Sequence, residues 1–230
     1  MKRIAMFLVA AFALVATTSC NKSSSGDYAQ GTIFVNAQVS ATGFYFVTDE
    51  GETLYASEYL EPVYRPTWGD RSILAYRILS EKVPGFDYNI KVYGAEKVRW
   101  GDSTIVETTD EMDNFGEGRI SFQMMQWSKK TLNLFAVPNG SSKGTYTLVY
   151  NADPTFKPKF TADGYINLVM CHDTSSDQTS SNQTLGEYLS FDLSLFDELI
   201  EQEGAKGVII EATTSLGKRD YLQLHWPLEK

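Results

Sequence analysis

The sequence predicts an all-β protein of two domains. An OB-like small barrel is expected over residues 31–109, and an immunoglobulin-like β-sandwich with one short helix over 110–230. Three observations carry this. Short runs alternate with period two, as in Tyr88-Asn89-Ile90-Lys91-Val92-Tyr93 and Leu189-Ser190-Phe191-Asp192-Leu193, the pattern of half-buried strands. Turn signals such as Asp49-Glu50-Gly51, Asp163-Gly164 and Leu216-Gly217 punctuate those runs. Only one stretch shows helical spacing.

The chain begins with a segment that is not part of either domain. Met1-Lys2-Arg3 is basic, Ile4 to Ala16 is apolar, and Thr17-Thr18-Ser19 precedes Cys20. That order describes an export signal, and the apolar run is shorter than the roughly 20 residues of a spanning helix. A cysteine after small residues, followed by a polar spacer, resembles the lipobox of bacterial lipoproteins. Thr17 stands where that pattern usually has an aliphatic residue. The resemblance implies a signal peptide over residues 1–19, acylation of Cys20, and a flexible tether over residues 20–30. The alternative is an ordinary cleaved signal beside a free cysteine. The expected location is the outer membrane of a Gram-negative cell envelope. Asn21-Lys22-Ser23-Ser24-Ser25 brings no acidic residue before Asp27, so the periplasmic face is expected rather than the cell surface.

Composition narrows the function. The formal net charge is −9 and the chain has no cluster of Lys and Arg, so a nucleic-acid partner is not expected. With Cys20 acylated, Cys171 has no partner for a disulfide, and stability must come from burial.

Strands are expected from Thr32 to Val39, Phe44 to Val47, Thr53 to Ala56, Ile73 to Leu79 and Tyr88 to Tyr93. Gly51 supplies the positive φ of the second hairpin. Pro62, Pro66 and Gly69 break the stretch before the fourth strand. Five short strands suit a closed barrel, which leaves no exposed edge. Pattern is lost over residues 107–117, which read as a solvated linker between the domains. Seven further runs are expected near 118–127, 131–137, 145–150, 165–171, 187–193, 207–213 and 219–226, enough for a sandwich of antiparallel sheets. Ser194 with Asp197 has capping-box-like spacing, and Leu195/Leu199 and Phe196/Ile200 form i, i+4 pairs before Gly204. Residues 174–184 are polar throughout and read as a loop.

This arrangement resembles the NigD-like lipoprotein family. The matching segments are Gly31-Thr32-Ile33-Phe34-Val35-Asn36-Ala37, Phe44-Tyr45-Phe46-Val47-Thr48-Asp49-Glu50-Gly51, Pro66-Thr67-Trp68-Gly69-Asp70-Arg71, Phe86-Asp87-Tyr88-Asn89-Ile90-Lys91-Val92 and Leu189-Ser190-Phe191-Asp192-Leu193. The resemblance implies an OB-like domain followed by a β-sandwich, and none of its motifs is catalytic. The family's name comes from a bacteriocin-associated locus, so a bacteriocin-associated or immunity role is one alternative.

Candidate chemistry is sparse. Gly140-Ser141-Ser142-Lys143-Gly144 matches G-x-S-x-G but lies between strands, without the strand-to-helix turn that a nucleophile elbow needs. Cys171-His172-Asp173 lacks the paired spacing of a metal site. Cys171 ends an apolar strand, away from any Lys or Arg in sequence, and is expected to be buried and slow to react. His225 is expected on a wet face. In Asp110 to Glu117, Met112 and Phe115 stand where a calcium loop needs oxygen. Tyr221 and Trp127 lie on the alternate phase of their strands and are candidates for exposed stacking platforms. The expectation is therefore a non-enzymatic binding or accessory module with a carbohydrate or protein partner, no catalytic residue, no metal and no cofactor. The alternative is an envelope glycan hydrolase.

Overall fold

A computed structural model describes residues 30–41, 43–60, 65–128, 130–139, 144–175, 186–214 and 216–225. The signal, Cys20 and nearly all of the tether lie outside these residues, as do residues 140–143 of the G-x-S-x-G segment and most of the polar loop. The chain divides into two compact units between Glu96 and Lys97.

The first unit is a closed barrel with strand order β1-β2-β3-β5-β4. Its strands are β1 (Gln30–Ser40), β2 (Gly43–Thr48), β3 (Thr53–Tyr59), β4 (Arg71–Ile78) and β5 (Tyr88–Lys97). Alternation decides which residues fill it. Val35, Ala37, Phe46, Leu54, Leu74, Ile90 and Val92 form the core, with Tyr88 packed against it, so β5 turns its Tyr88, Ile90 and Val92 face inward. Gly51, at φ 86°, makes the β2–β3 hairpin and donates its N–H to the Thr48 carbonyl at 3.0 Å. Backbone of that hand costs a residue with a Cβ far more than it costs glycine. One charge pair is sealed within this unit. Arg71 meets Asp49 at 2.7 and 2.8 Å, with side-chain exposures of 0% and 3%, and its guanidinium lies over the Phe34 ring.

The second unit is one eight-stranded sheet, ordered β13-β12-β10-β9-β6-β11-β8-β7. Its strands are β6 (Arg99–Val106), β7 (Ile120–Trp127), β8 (Thr131–Pro138), β9 (Thr145–Asn151), β10 (Tyr165–Asp173), β11 (Glu187–Asp192), β12 (Gly207–Thr213) and β13 (Arg219–His225). The sheet curls on itself like a sandwich, and one core draws on both halves: Ile120, Leu132 and Phe191 from one, Leu148, Leu168, Ile210 and Leu224 from the other. All seven expected strands are present.

The strand missed by alternation is β6, and it joins the halves. Arg99 to Gly101 pair with β11, while Asp102 to Val106 pair with β9, both in parallel. Together with the parallel β10–β12 pair, this departs from the wholly antiparallel sandwich expected. Because β6 belongs to the second sheet, the chain divides near residue 97 rather than at 109/110. The expected linker is not one either. Thr109–Phe115 is a 3-10 helix whose Met112 and Phe115 pack on Val106, Val149, Val169 and Cys171. Their separation of three residues places both on one side of a 3-10 helix, where they cover the outer face of the sheet.

Helical structure elsewhere is a 3-10 turn (Ser194–Phe196) leading into α1 (Asp197–Glu203). Phe196 is buried and Leu199 packs on the core. The cap position is Leu193, and Asp192 just before it accepts the Ser194 N–H on its Oδ1 at 2.9 Å. Ser194 does not serve as the cap because the 3-10 turn starts at that residue. Gly204, at φ 59°, ends the helix. No helix among the described residues is long and apolar enough to cross a membrane.

Candidate functional site

Successive residues of β10 face opposite sides of the sheet, which separates Cys171 from His172. Cys171 lies in the outer layer with Val106, Val149 and Val169, is 6% exposed, and is a free thiol. Burial pushes its pKa up to about 11, although Arg219 pulls the other way. The local sequence shows no such cation, since Arg219 arrives only through the β10–β12–β13 pairing. A thiol that stays protonated at neutral pH is a poor nucleophile.

His172 turns inward. Its ring stacks on Tyr146 of β9, with centroids 4.2 Å apart and planes 7° apart. Two glycines wall it in: a Cβ at Gly144 would lie 2.5 Å from Nε2, and one at Gly118 would lie 2.8 Å from Nδ1. Nε2 finds no hydrogen-bond partner among the described residues. Burial and then the Arg99 charge hold the His172 pKa below its ordinary value, against the opposing pull of Asp173.

The Tyr146 hydroxyl donates to Glu187 Oε1 at 2.9 Å. Arg99 lies over the Tyr146 ring, stands 3.8 Å from Glu187, and donates to the Gly144 carbonyl. Burial raises the Glu187 pKa, opposed by the Tyr146 hydrogen bond and Arg99, and burial likewise raises that of Tyr146. This network joins β6, β9, β10 and β11 across the junction of the sheet halves. Sequence reading missed it because its members lie on four separate strands.

His225 is exposed, with the Tyr165 hydroxyl 2.5 Å from its Nδ1. No group of three or more His, Cys, Asp or Glu able to hold a metal ion occurs among the described residues. Asp153, outside that network, accepts from Thr109 and Thr155. Those hydrogen bonds, the Thr155 hydroxyl first, hold its pKa well below the usual carboxylate range. It ties the 3-10 helix to the loop after β9.

One recess in this unit is a cleft of about 370 Å³ where the curled sheet stays open. Its walls are the two edge strands. Ile120 to Gln123 of β7 form one side, and Asp220 to Leu222 of β13, with Thr214, form the other. Ile120 belongs to the core, and Phe122 and Leu222 pack against it, so the floor is apolar and the rim polar.

Tyr221 is 46% exposed and stacks on Phe160, with centroids 4.3 Å apart. Buried Glu211 fixes the Phe160 loop by accepting the backbone N–H groups of Lys159 and Phe160 at 3.0 and 3.4 Å, while pairing with Arg219 at 2.8 Å. Tyr221 is thus an exposed aromatic, as expected. Trp127 is not. A bulge between Met124 and Gln126 shifts the phase of β7, and Trp127 packs on the core.

Residues 32–98 match the family model of the NigD-like N-terminal OB domain. Solved structures share the two-unit fold. A protein of unknown function from Bacteroides vulgatus aligns with TM-score 0.67 at 23% identity, covering 87% of this chain and 92% of its own. A candidate lipoprotein from Bacteroides fragilis aligns with TM-score 0.63 at 11% identity, covering 88% and 100%. A candidate toxin-related protein from Parabacteroides distasonis aligns with TM-score 0.54 at 18% identity, covering 86% and 94%. Comparison with curated proteins finds no match. At these identities the solved structures speak to fold alone, while the family model covers the barrel from β1 to β5. Over that barrel the chain is similar to the NigD-like proteins.

Proposed function

We propose that this chain is a lipid-anchored binding module of the Gram-negative cell envelope, without enzymatic activity of its own. Acyl chains on Cys20 hold it to the outer membrane, with the two β units in the periplasm. The small residues before Cys20 and the polar segment after it support the anchor. A structural relative described as a candidate lipoprotein is in keeping with it.

The observation that carries the binding reading is the contrast between sealed chemistry and an open cleft. The thiol of Cys171 and the imidazole of His172 are both buried. The opening between β7 and β13 exposes apolar side chains beneath a polar rim, the make-up of a binding surface.

Intact-mass analysis of the membrane fraction tests the anchor. The expected species begins at acylated Cys20, and Cys20→Ala leaves the membrane fraction. A mature chain beginning elsewhere refutes the anchor. Release of reducing ends from isolated envelope glycan tests the non-enzymatic part. Turnover by the wild-type chain that disappears in Glu187→Gln would make it a hydrolase instead.

A further inference from the structure

The cleft is bounded by two strand edges that no other strand among the described residues covers, and the pairing registers show which backbone groups face it. The Asn139 N–H donates to the Arg119 carbonyl, and in the β7–β8 register Ile120 lies opposite Pro138. In an antiparallel ladder, hydrogen-bonded and non-hydrogen-bonded pairs alternate. Arg119 is bonded across to Asn139, so Ile120 and Phe122 direct their N–H and C=O groups away from β8, toward the cleft. Pro138, without an N–H, fits its non-bonded position opposite Ile120.

The same reasoning applies on the other wall. The Thr214 N–H donates to the Lys218 carbonyl, so in the β12–β13 register Asp220 and Leu222 bond to β12 while Tyr221 and Gln223 face outward. The Tyr221 N–H confirms this by turning to the Asp220 carboxylate, at 2.9 Å.

The two edges also run in the same sense. β7 and β11 are both antiparallel to β8; β11, β6 and β9 are parallel; β10 and β12 run against β9, and β13 against β12. One added strand can therefore be antiparallel to both walls, the more stable pairing.

We propose that this cleft binds one extended polypeptide segment of a partner protein, which adds a strand between β7 and β13. Its inward side chains are apolar and rest on Phe122 and Leu222, which are only partly buried. Its outward side chains are polar, and a Lys or Arg lies at Asp220, the exposed residue that precedes Leu222 on the same face of β13. Charge selects this occupant: Asp220 is the charged residue of the lining, and the chain as a whole is acidic, at −9. When a partner carbonyl takes the Tyr221 N–H, the Asp220 carboxylate is released to pair with the partner's cation. Main-chain pairing gives affinity and alternate side chains give selectivity, as in other cases of strand addition. The inference rests on the binding-module reading and names the partner class for its cleft.

The test uses the chain from Asn21 onward, with both units present. A labelled heptapeptide of alternating valine and lysine is titrated by fluorescence anisotropy, beside a valine–glutamate counterpart. The valine–lysine peptide is expected to saturate, and to protect the Phe122 and Tyr221 amides from hydrogen exchange. Tyr221→Pro removes one edge donor and leaves the bonded β12 pairs in place, so it should weaken binding roughly fivefold, the worth of one hydrogen bond. Asp220→Lys should invert the preference between the two peptides, and it keeps the proposal testable if the proline variant does not fold.

Absence of saturation, unchanged affinity in both variants, or protection elsewhere overturns the proposal. So does a peptide-independent dimer in which the cleft amides are already protected, because the occupant is then a second copy. Glycan turnover with the peptide still seated in the cleft would refute the non-enzymatic reading alone. No turnover and no peptide uptake would refute the strand proposal alone.

Discussion

The imidazole of His172 lies flat on the phenol ring of Tyr146, 4.2 Å between centroids and 7° from coplanar. Burial and Arg99 disfavour the charged imidazole, and this stack therefore couples stability to pH. Below the ordinary histidine value of 6.5 the unfolded chain takes up a proton that the folded chain resists. The His172 contribution is thus fully present above 6.5 and is lost as pH falls through the window between 6.5 and the lowered folded value. Glu187 has the opposite sign. Its raised folded pKa gives a contribution present below 4.5 and lost as pH rises through the folded value. His172→Phe keeps a ring on Tyr146 and removes the titration. Urea unfolding midpoints between pH 7 and pH 5 should fall less steeply in His172→Phe than in the wild type. Equal slopes would show that His172 does not titrate with folding.

Cys171 governs an alkaline limb. The unfolded thiol ionises near 9.0 and the folded one at about 11. Stability from this group is complete below pH 9 and declines as pH rises toward 11. Two pKa units correspond to roughly 2–3 kcal/mol. Subtracting the pH profile of Cys171→Ala from that of the wild type should isolate the loss. In the native state at pH 7, a thiol reagent should label Cys171 slowly, and completely only after denaturation. Fast native labelling would contradict the burial.

Gly101 holds space for Phe191. A Cβ at that position would lie 2.2 Å from the Phe191 ring, in the parallel β6–β11 pair that joins the halves of the sheet. Gly101→Ala should destabilise the second unit by about 1–3 kcal/mol, the usual range for overpacking a core. Adding Phe191→Leu should recover part of that loss. A double variant no more stable than Gly101→Ala would place the strain elsewhere.

The Arg71–Asp49 pair should respond unequally to single and double changes. Asp49→Ala leaves a buried guanidinium without its carboxylate, and the barrel should lose about 3–5 kcal/mol. Replacing both residues with apolar ones, as in Arg71→Met with Asp49→Leu, should cost much less, because no charge is then stranded. Hydrogen exchange at Val35 and Ile90, both in the barrel core, reads this unit separately from the sheet.

Period-two alternation and glycine turns are local properties, and they sufficed to locate twelve of the thirteen strands among the described residues. The five-stranded barrel was legible for the same reason: its core residues stand at every second position of β1, β2 and β5. Cys171 could be read as buried from its apolar strand. The linker, the Ser194 cap and the exposure of Trp127 could not be read correctly, because a 3-10 stripe, an earlier helix start and a β-bulge each reset the periodicity within a few residues.

What the sequence by itself determined, then, is which segments are strands and which side chains need burial, since both follow from neighbours along the chain. Tertiary structure decided what those strands do together. β6 carries Arg99, Asp102, Ser103 and Thr104 and has little apolar alternation, yet it sits inside the sheet because its neighbours supply hydrogen bonds on both sides. The cleft is likewise invisible along the chain. Phe122 and Leu222 are one hundred residues apart, and both line it only because the sheet curls until its two edges face each other without pairing.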